Sequence, residues 1–227
     1  KVDAIKCSMA LGTDTKTHSI QSITETISNA EDAMYREKTL NRKANNSETL
    51  NAIISTLHEI DPEEMRHSIQ VSEVCESIAK ELKLPKTEVN KVKRAGYLHD
   101  IGKVVLKKDL VDNSRPLTDV EVYEVQQHTA IGYRILNLFD DTMDIADAVY
   151  SHHERWDGLG YPQGLKAEEI PLYSRIISLA EAYDRRMHGF ENNPWKKETV
   201  VRYIRENAGK RFDPELAEVF IQFLQKK

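Results

Sequence analysis

Five of the eight histidines stand where an imidazole could do chemistry: His67, His99, His128 and the adjacent pair His152 and His153. With Asp100 and Asp184 they recur at intervals of roughly 24 to 32 residues, so each of several successive segments supplies one or two donors. Imidazole and carboxylate together suit iron, manganese, nickel or zinc, and do not make a soft thiolate site. Two neighbouring histidines are awkward in an apolar core, because each ring is half polar. In "HHERWDGLGYPQGL" (152–165) they precede Gly158, Gly160, Pro162 and Gly164, a composition that allows a tight loop to fold back over whatever the rings face. His99 and Asp100 would diverge by about 100° on an ideal helix, so both reach one ion only where the helix ends. Gly102, in "HDIGK", supplies that ending.

The elements that must carry these donors read as helices. Asp61-Pro62-Glu63-Glu64 is a start signal, with an N-cap, Pro at the first position and Glu at the third. Met65, Ile69, Val71, Val74 and Ile78 continue that helix to about Leu82, before Pro85. Thr87 begins another, leading into "AGYLHDIGK". Residues 119–139 and 144–153 read as helices, as does "IPLYSRIISLAEAYD" after the Gly/Pro loop. The C-terminal pair is 197–208 and 214–225. Helices of this length joined by short loops can direct one residue each toward a shared centre, as helical bundles do for metals. The fold class expected is all-α, over residues 46–227.

Ahead of this bundle, residues 1–13 read as a short β-rich segment ending in a Gly turn. Ile20, Ile23, Ile27, Ala30, Ala33 and Met34 then recur at helical spacing to about Arg42. The polar stretch "NRKANNSE" reads as a break and as the domain boundary, with Ser47 capping a further helix through Leu50, Ile53, Ile54 and Leu57.

Composition narrows the functional classes. A net charge of −5 over 227 residues, with both signs interspersed, is not the footprint of a DNA or RNA polymer binder. An anionic ligand must then be held locally, by metals or by a few chosen cations. No run reaches the 18 or so apolar residues of a membrane span, and there is no signal-peptide pattern. Cys7 and Cys75 are the only cysteines and have no CxxC spacing, so a reducing, cytoplasmic setting is expected.

"HDIGK" and "HHERWDGLGYPQGL", with "LTDVEVYEVQQHTAIGYRIL" and "IPLYSRIISLAEAYD" in order and at matching intervals, resemble the HD-GYP family of HD-domain metal-dependent phosphohydrolases. The likeness covers about residues 48–186. It implies an HD-domain helical bundle in which His67, His99, Asp100, His128, His152, His153 and Asp184 fall on the family's metal ligands. Asp100 would bridge two ions, and a water held between them would be the nucleophile. His152 and His153 would serve neighbouring ions or two positions on one, or divide as one ligand and one supporting donor. Lys103, otherwise a lysine after a helix end, would steady a phosphate oxygen. A glutamate four residues before His67 marks the family's three-metal sites, which assigns Glu63 to a third ion and leaves Glu64 for capping. The cofactor expected is two or three divalent ions, iron first, with manganese or nickel as alternatives. Cyclic di-GMP would be opened to linear pGpG, with a further cut to GMP as the alternative end point. The alternatives are a weak or inactive module that binds a cyclic dinucleotide or protein partner, and a hydrolase for another nucleotide.

The chain departs from the family after Asp184. There "YDRRMHGFENNPWKKE" puts Arg185 and Arg186 where small residues are usual, and no basic, Pro- and Tyr-containing element follows. Arg186, Lys196 and Lys197 are the candidates to hold substrate, with Tyr161 packing the loop and lining the pocket. His58 and His188 read as surface or loop histidines, and His18 as solvent-exposed. "IKCSMALGT" with "SITETISNAEDAMYREKTLNR" resembles the last strand and helix of a GGDEF (diguanylate-cyclase-like) domain, which makes residues 1–45 a remnant plus linker. A piece of that size cannot bury a core alone. It is expected to dock on the helical body, to pair with a second copy or contact a GGDEF domain, or to be partly disordered; the alternative is an ordinary linker helix.

Overall fold

The computed structural model of the chain describes residues 10–17, 22–111, 115–188 and 194–226. Two compact units divide at Ala52, one covering Lys1–Ala52 and the other Ile53–Lys227. The described residues are helical and contain no strand beyond an isolated bridge between Ala208 and Phe212. None of the helices among them is long and apolar enough to cross a membrane.

The first unit consists of a non-helical stretch and most of α1 (Ile23–Ile60). Of the strand expected over residues 1–13, the first nine residues lie outside the described set, and residues 10–13 carry no strand. His18 also lies outside it. The break expected at "NRKANNSE" does not occur, because α1 runs through it without interruption. The stretch holds neither Gly nor Pro. Asn and Ser cost only a few tenths of a kcal/mol each in a helix, too little to end one.

The second unit is the bundle. Helix α2 (Pro62–Glu81) starts where the sequence signals it, with the Asp61 side chain accepting from the backbone N–H groups of Glu63 and Glu64. It packs on α3 (Lys86–Leu98) and on α8 (Leu172–His188). Val71, Cys75, Ile78, Val92, Ala95, Ile176, Ile177 and Ala180 are all fully buried and form the core between them. After α3 a 3-10 turn (Ile101–Val105) and α4 (Lys108–Val111) reverse the chain.

The single helix expected over residues 119–139 is two: α5 (Asp119–Gln126) and α6 (His128–Leu136). At the joint the ladder tightens, with Gln127 N–H donating to the Glu124 carbonyl at 3.2 Å. The His128 ring takes the Val125 carbonyl at 2.6 Å. Helix α7 (Met143–Tyr150) packs on α6 and α3, and a 3-10 turn (Ala167–Glu169) precedes α8. Helices α9 (Lys197–Asn207) and α10 (Pro214–Lys226) pack on each other and on α8.

Candidate metal centre

The donors converge because helices end at them. Helix α3 stops at Leu98, so His99 and Asp100 follow the last regular turn, as their divergence on a helix requires. Gly102 allows the turn to close. A β-carbon there would lie 1.9 Å from the His128 carbonyl oxygen and 2.6 Å from the Gly132 nitrogen. Helix α7 stops at Tyr150, just before His152 and His153.

Three rings share one device. The Nδ1–H of His99 donates to the Gly96 carbonyl at 2.9 Å, that of His128 to Val125 at 2.6 Å, and that of His152 to Val149 at 2.6 Å. Each bond fixes the tautomer and presents Nε2 to the centre, the orientation a metal-binding imidazole needs. His67 achieves the same through a carboxylate: its Nδ1–H donates to Asp184 Oδ2 at 2.6 Å.

Two donor groups result, one of Asp100, His128, His152 and His153 and one of Glu64, His67, His99 and Asp100. Asp100 belongs to both. Its Oδ1 lies 3.2 Å from His128 Nε2, and its Oδ2 lies 3.2 Å from His99 Nε2. His99 Nε2 and Asp100 Oδ1 are nevertheless buried without hydrogen-bond geometry, and Asp100 Oδ2 is met by the Lys103 ammonium. Burying such atoms unsatisfied is costly. Divalent ions at the two groups would satisfy them, and the nitrogen and oxygen donor set fits.

The electrostatics differ among the rings: burial would lower His99, but the charge and hydrogen bond of Asp100 outweigh it and raise it, whereas the adjacent pair is held low. Burial, reinforced by repulsion from His99 and His128, pushes His152 down to about 3, which keeps its ring neutral and its lone pair available. Burial likewise holds His153 well below the ordinary histidine range. Burial alone would raise Asp100, but the charges of His99 and Lys103 outweigh it and hold the carboxyl well below its usual range. Lys103 Nζ lies 2.5 Å from Asp100 Oδ2 and 2.9 Å from Glu64 Oε2.

Three readings from the sequence are corrected here. Glu63 is not in the cluster. Its side chain is 66 % exposed and lies 4.0 Å from Arg66, whereas Glu64 is fully buried beside Lys103, His67 and His99. The buried face of α2 holds Glu64, His67, Ser68, Val71 and Cys75. Glu63 sits about 100° round the helix from Glu64 and falls off that face. Helical spacing from His67 was equally open to either glutamate, and only the position of the core decides between them.

Asp184 is absent from both donor groups and lies behind His67, a member of one of them. Its two carboxylate oxygens accept from His67 and, at 2.6 Å, from His188 Nδ1–H. His188 is thus exposed at the end of α8, as expected, yet tied to Asp184. Glu181, one turn earlier, was missed. Its Oε2 is buried without a hydrogen bond and lies 3.8 Å from His153 Nδ1. The positions 181, 184, 185 and 188 make an i, i+3, i+4, i+7 stripe, a signal present in the sequence.

Arg186 faces away from the centre. Its guanidinium lies 3.6 Å from the Tyr203 ring centroid and 5.3 Å from that of Trp195. Lys196 is exposed just before α9, and Lys197 is that helix's first residue. Arg185 does reach the centre, with Nε donating to Glu181 Oε1 at 2.7 Å. Tyr161 stacks on the His153 ring, with centroids 4.8 Å apart and planes at 25°. Its loop is organised by Glu154, buried and unremarked in the sequence, which accepts from the backbone N–H groups of Gln163, Gly164 and Leu165. His58, half-buried, meets Tyr97 edge-on and lies outside both groups.

The HD-domain family model matches residues 25–216. The chain belongs to the HD-domain family. A curated cyclic di-GMP phosphodiesterase from Thermotoga maritima is 36% identical over 168 residues, covering 71% of this chain and 45% of the relative. A 3'3'-cGAMP-specific phosphodiesterase from Vibrio cholerae is 31% identical over 162 residues, covering 69% of this chain and 30% of the relative. This HD domain therefore spans less than half the length of these relatives. Among solved structures, a cyclic GMP-AMP-specific phosphodiesterase from V. cholerae matches with a TM-score of 0.59 at 22% identity, covering 77% of this chain and 48% of that one. The HD domain of a Listeria monocytogenes phosphodiesterase in complex with cyclic di-AMP matches with a TM-score of 0.57 at 16% identity, covering 76% and 93%. Both likenesses establish the fold.

Proposed function

We propose that this HD domain is a metal-dependent phosphodiesterase of cyclic dinucleotides, with cyclic di-GMP as substrate and linear pGpG as first product. The observation that carries the reading is Asp100, a buried carboxylate common to two His/carboxylate groups. Bound divalent ions would supply Lewis acidity and an activated water at neutral pH. Asp100 would join the ions, with His128, His152, His153 and Glu181 on one side and Glu64, His67 and His99 on the other. The carbonyl bonds to Nδ1 hold the rings in place so that little reorganisation is needed. Lys103, which lies against Asp100, would meet the phosphate and offset charge building there in the transition state. The Tyr161 ring over His153 would wall the pocket from water. Glu64, and not Glu63, would be the glutamate donor of α2, in the group with His67, His99 and Asp100. The resemblance of the N-terminal segment to a GGDEF domain fits the same signalling chemistry by association.

The test is anaerobic purification, loading with ferrous iron or manganese, addition of cyclic di-GMP, and chromatographic separation of products beside an Asp100→Ala control. Linear pGpG or GMP from the wild type alone is expected. No product from a protein with measured metal occupancy would replace this reading with a module that binds without cutting or with a hydrolase for another cyclic dinucleotide, and a substrate panel separates those two.

A further inference from the structure

The residue after Asp184 is the point where this chain leaves the pattern it resembles, and the structure puts that residue in the centre. Arg185 donates through Nε to Glu181 Oε1 at 2.7 Å, which fixes the plane of its guanidinium. Its Nη2 then lies 3.7 Å from Asp100 Oδ2. Lys103 Nζ approaches the same oxygen at 2.5 Å from the opposite element, the 3-10 turn after α3. Two cations from separate elements thus converge on the one carboxylate shared by both donor groups. The Arg185 side chain is 29% exposed and that of Lys103 12%, so both cations retain some access to solvent.

The charges explain why they converge there. Glu64, Asp100 and Glu181 are three buried carboxylates, and Lys103 and Arg185 are the cations set against them. Once divalent ions neutralise the carboxylates, the cations gain a stronger preference for an incoming anion. A guanidinium held through Nε is a pre-oriented fork, the geometry that grips phosphate oxygens. The sequence placed Arg186 in this role, but adjacent residues on α8 point about 100° apart. Position 185 shares the face of Glu181, and position 186 shares that of Ala182, whose carbonyl accepts from Arg186 Nη1 at 3.0 Å.

We infer that Arg185 is a substrate-binding residue that, together with Lys103, clamps a non-bridging oxygen of the phosphodiester beside Asp100. The inference rests on the phosphodiesterase reading for the identity of the ligand, but not for its phosphate chemistry. Arg185→Ala, Arg185→Gln and Arg185→Lys, made in the full chain and loaded with manganese, test it through three readouts. These are manganese per chain by elemental analysis, the dissociation constant for inorganic phosphate, and KM and kcat for cyclic di-GMP. The Ala and Gln variants should keep the wild-type manganese content and weaken phosphate about tenfold to a hundredfold. KM should rise in parallel, and Arg185→Lys should recover part of the loss, since it restores charge without the fork.

Unchanged phosphate affinity in a metal-replete Arg185→Gln protein overturns the clamp. So does loss of manganese in both neutral variants, which would make Arg185 a support for Glu181, and so does tighter phosphate binding, which would make it a counter-charge that blocks the site. If the wild type turns over no cyclic dinucleotide, the functional reading fails, while the phosphate comparison still decides the clamp.

Discussion

Single side chains at this centre differ by what lies behind them. Glu63 and Glu64 are chemically identical neighbours, yet one is exposed and the other fully buried against Lys103. Glu63→Gln should leave bound metal unchanged, whereas Glu64→Gln should lower it, and elemental analysis of the purified proteins separates the two. Asp184 acts through His67, since its Oδ2 holds the ring by Nδ1. Loss of a carboxylate behind a metal-binding histidine costs about 10–100-fold in metal affinity. Asp184→Asn should fall in that range by metal titration, with the ion still bound at saturation; no change in affinity would show that the ring needs no such support.

Elements matter here for where they stop. The turn after α3 presses against the start of α6 so closely that any β-carbon at position 102 meets the backbone carbonyl of His128. Backbone cannot swing aside as a side chain can. Gly102→Ala should therefore cost roughly 1–3 kcal/mol or more in urea unfolding, and should weaken metal binding because His128 moves with its carbonyl. Helix α5 is held differently, by a capping box in which Thr118 accepts from the Glu121 N–H and Glu121 accepts from the Thr118 N–H, with Arg115 bonded to the same carboxylate. The Arg115 bond, then the two from Thr118, depress Glu121 to about 2 from an ordinary 4.5. A depressed carboxyl stabilises above its unfolded value and loses that contribution as pH falls toward the folded one. Protection factors at the start of α5, the exchange rates taken relative to the unstructured rate at the same pH, should accordingly be high near neutrality and fall between about pH 4.5 and 2; constant protection across that window would refute the capping role.

For the molecule as a whole, buried polar atoms without hydrogen bonds are a debt that bound ions relieve, so metal should be worth measurable stability. At a free-ion concentration one hundred times the dissociation constant the gain is about 2.7 kcal/mol. For a chain of this size that corresponds to roughly 5–10 °C in melting temperature. Chelation followed by a thermal melt should show this loss, and re-addition of manganese should reverse it. A melt indifferent to chelator would mean that the donor groups are satisfied without ions.

How much was legible depends on the distance over which each feature is decided. Asp61-Pro62 announced α2, and the approximate extent of α2, α3, α7, α8, α9 and α10 followed from apolar spacing, because capping and periodicity are local; α4 and the division of 119–139 into α5 and α6 did not. His67, His99, Asp100, His128, His152 and His153 were recognisable as one set through residue type, interval and motif, and the fold brings them together. The long helix through "NRKANNSE" was not legible, since weak helix formers look like a break until neighbouring turns carry the ladder across. Three placements were decided by the tertiary structure: Glu64 buried where Glu63 is exposed, the α8 stripe turned so that Glu181 lies by His153 with Asp184 behind His67, and Arg185 against Glu181 where Arg186 packs on Tyr203. In each case the sequence offered two like residues a few positions apart on one helix. Which of them is buried depends on where the packed face of that helix lies, and that face is set by contacts among α2, α3 and α8, residues far apart in the chain.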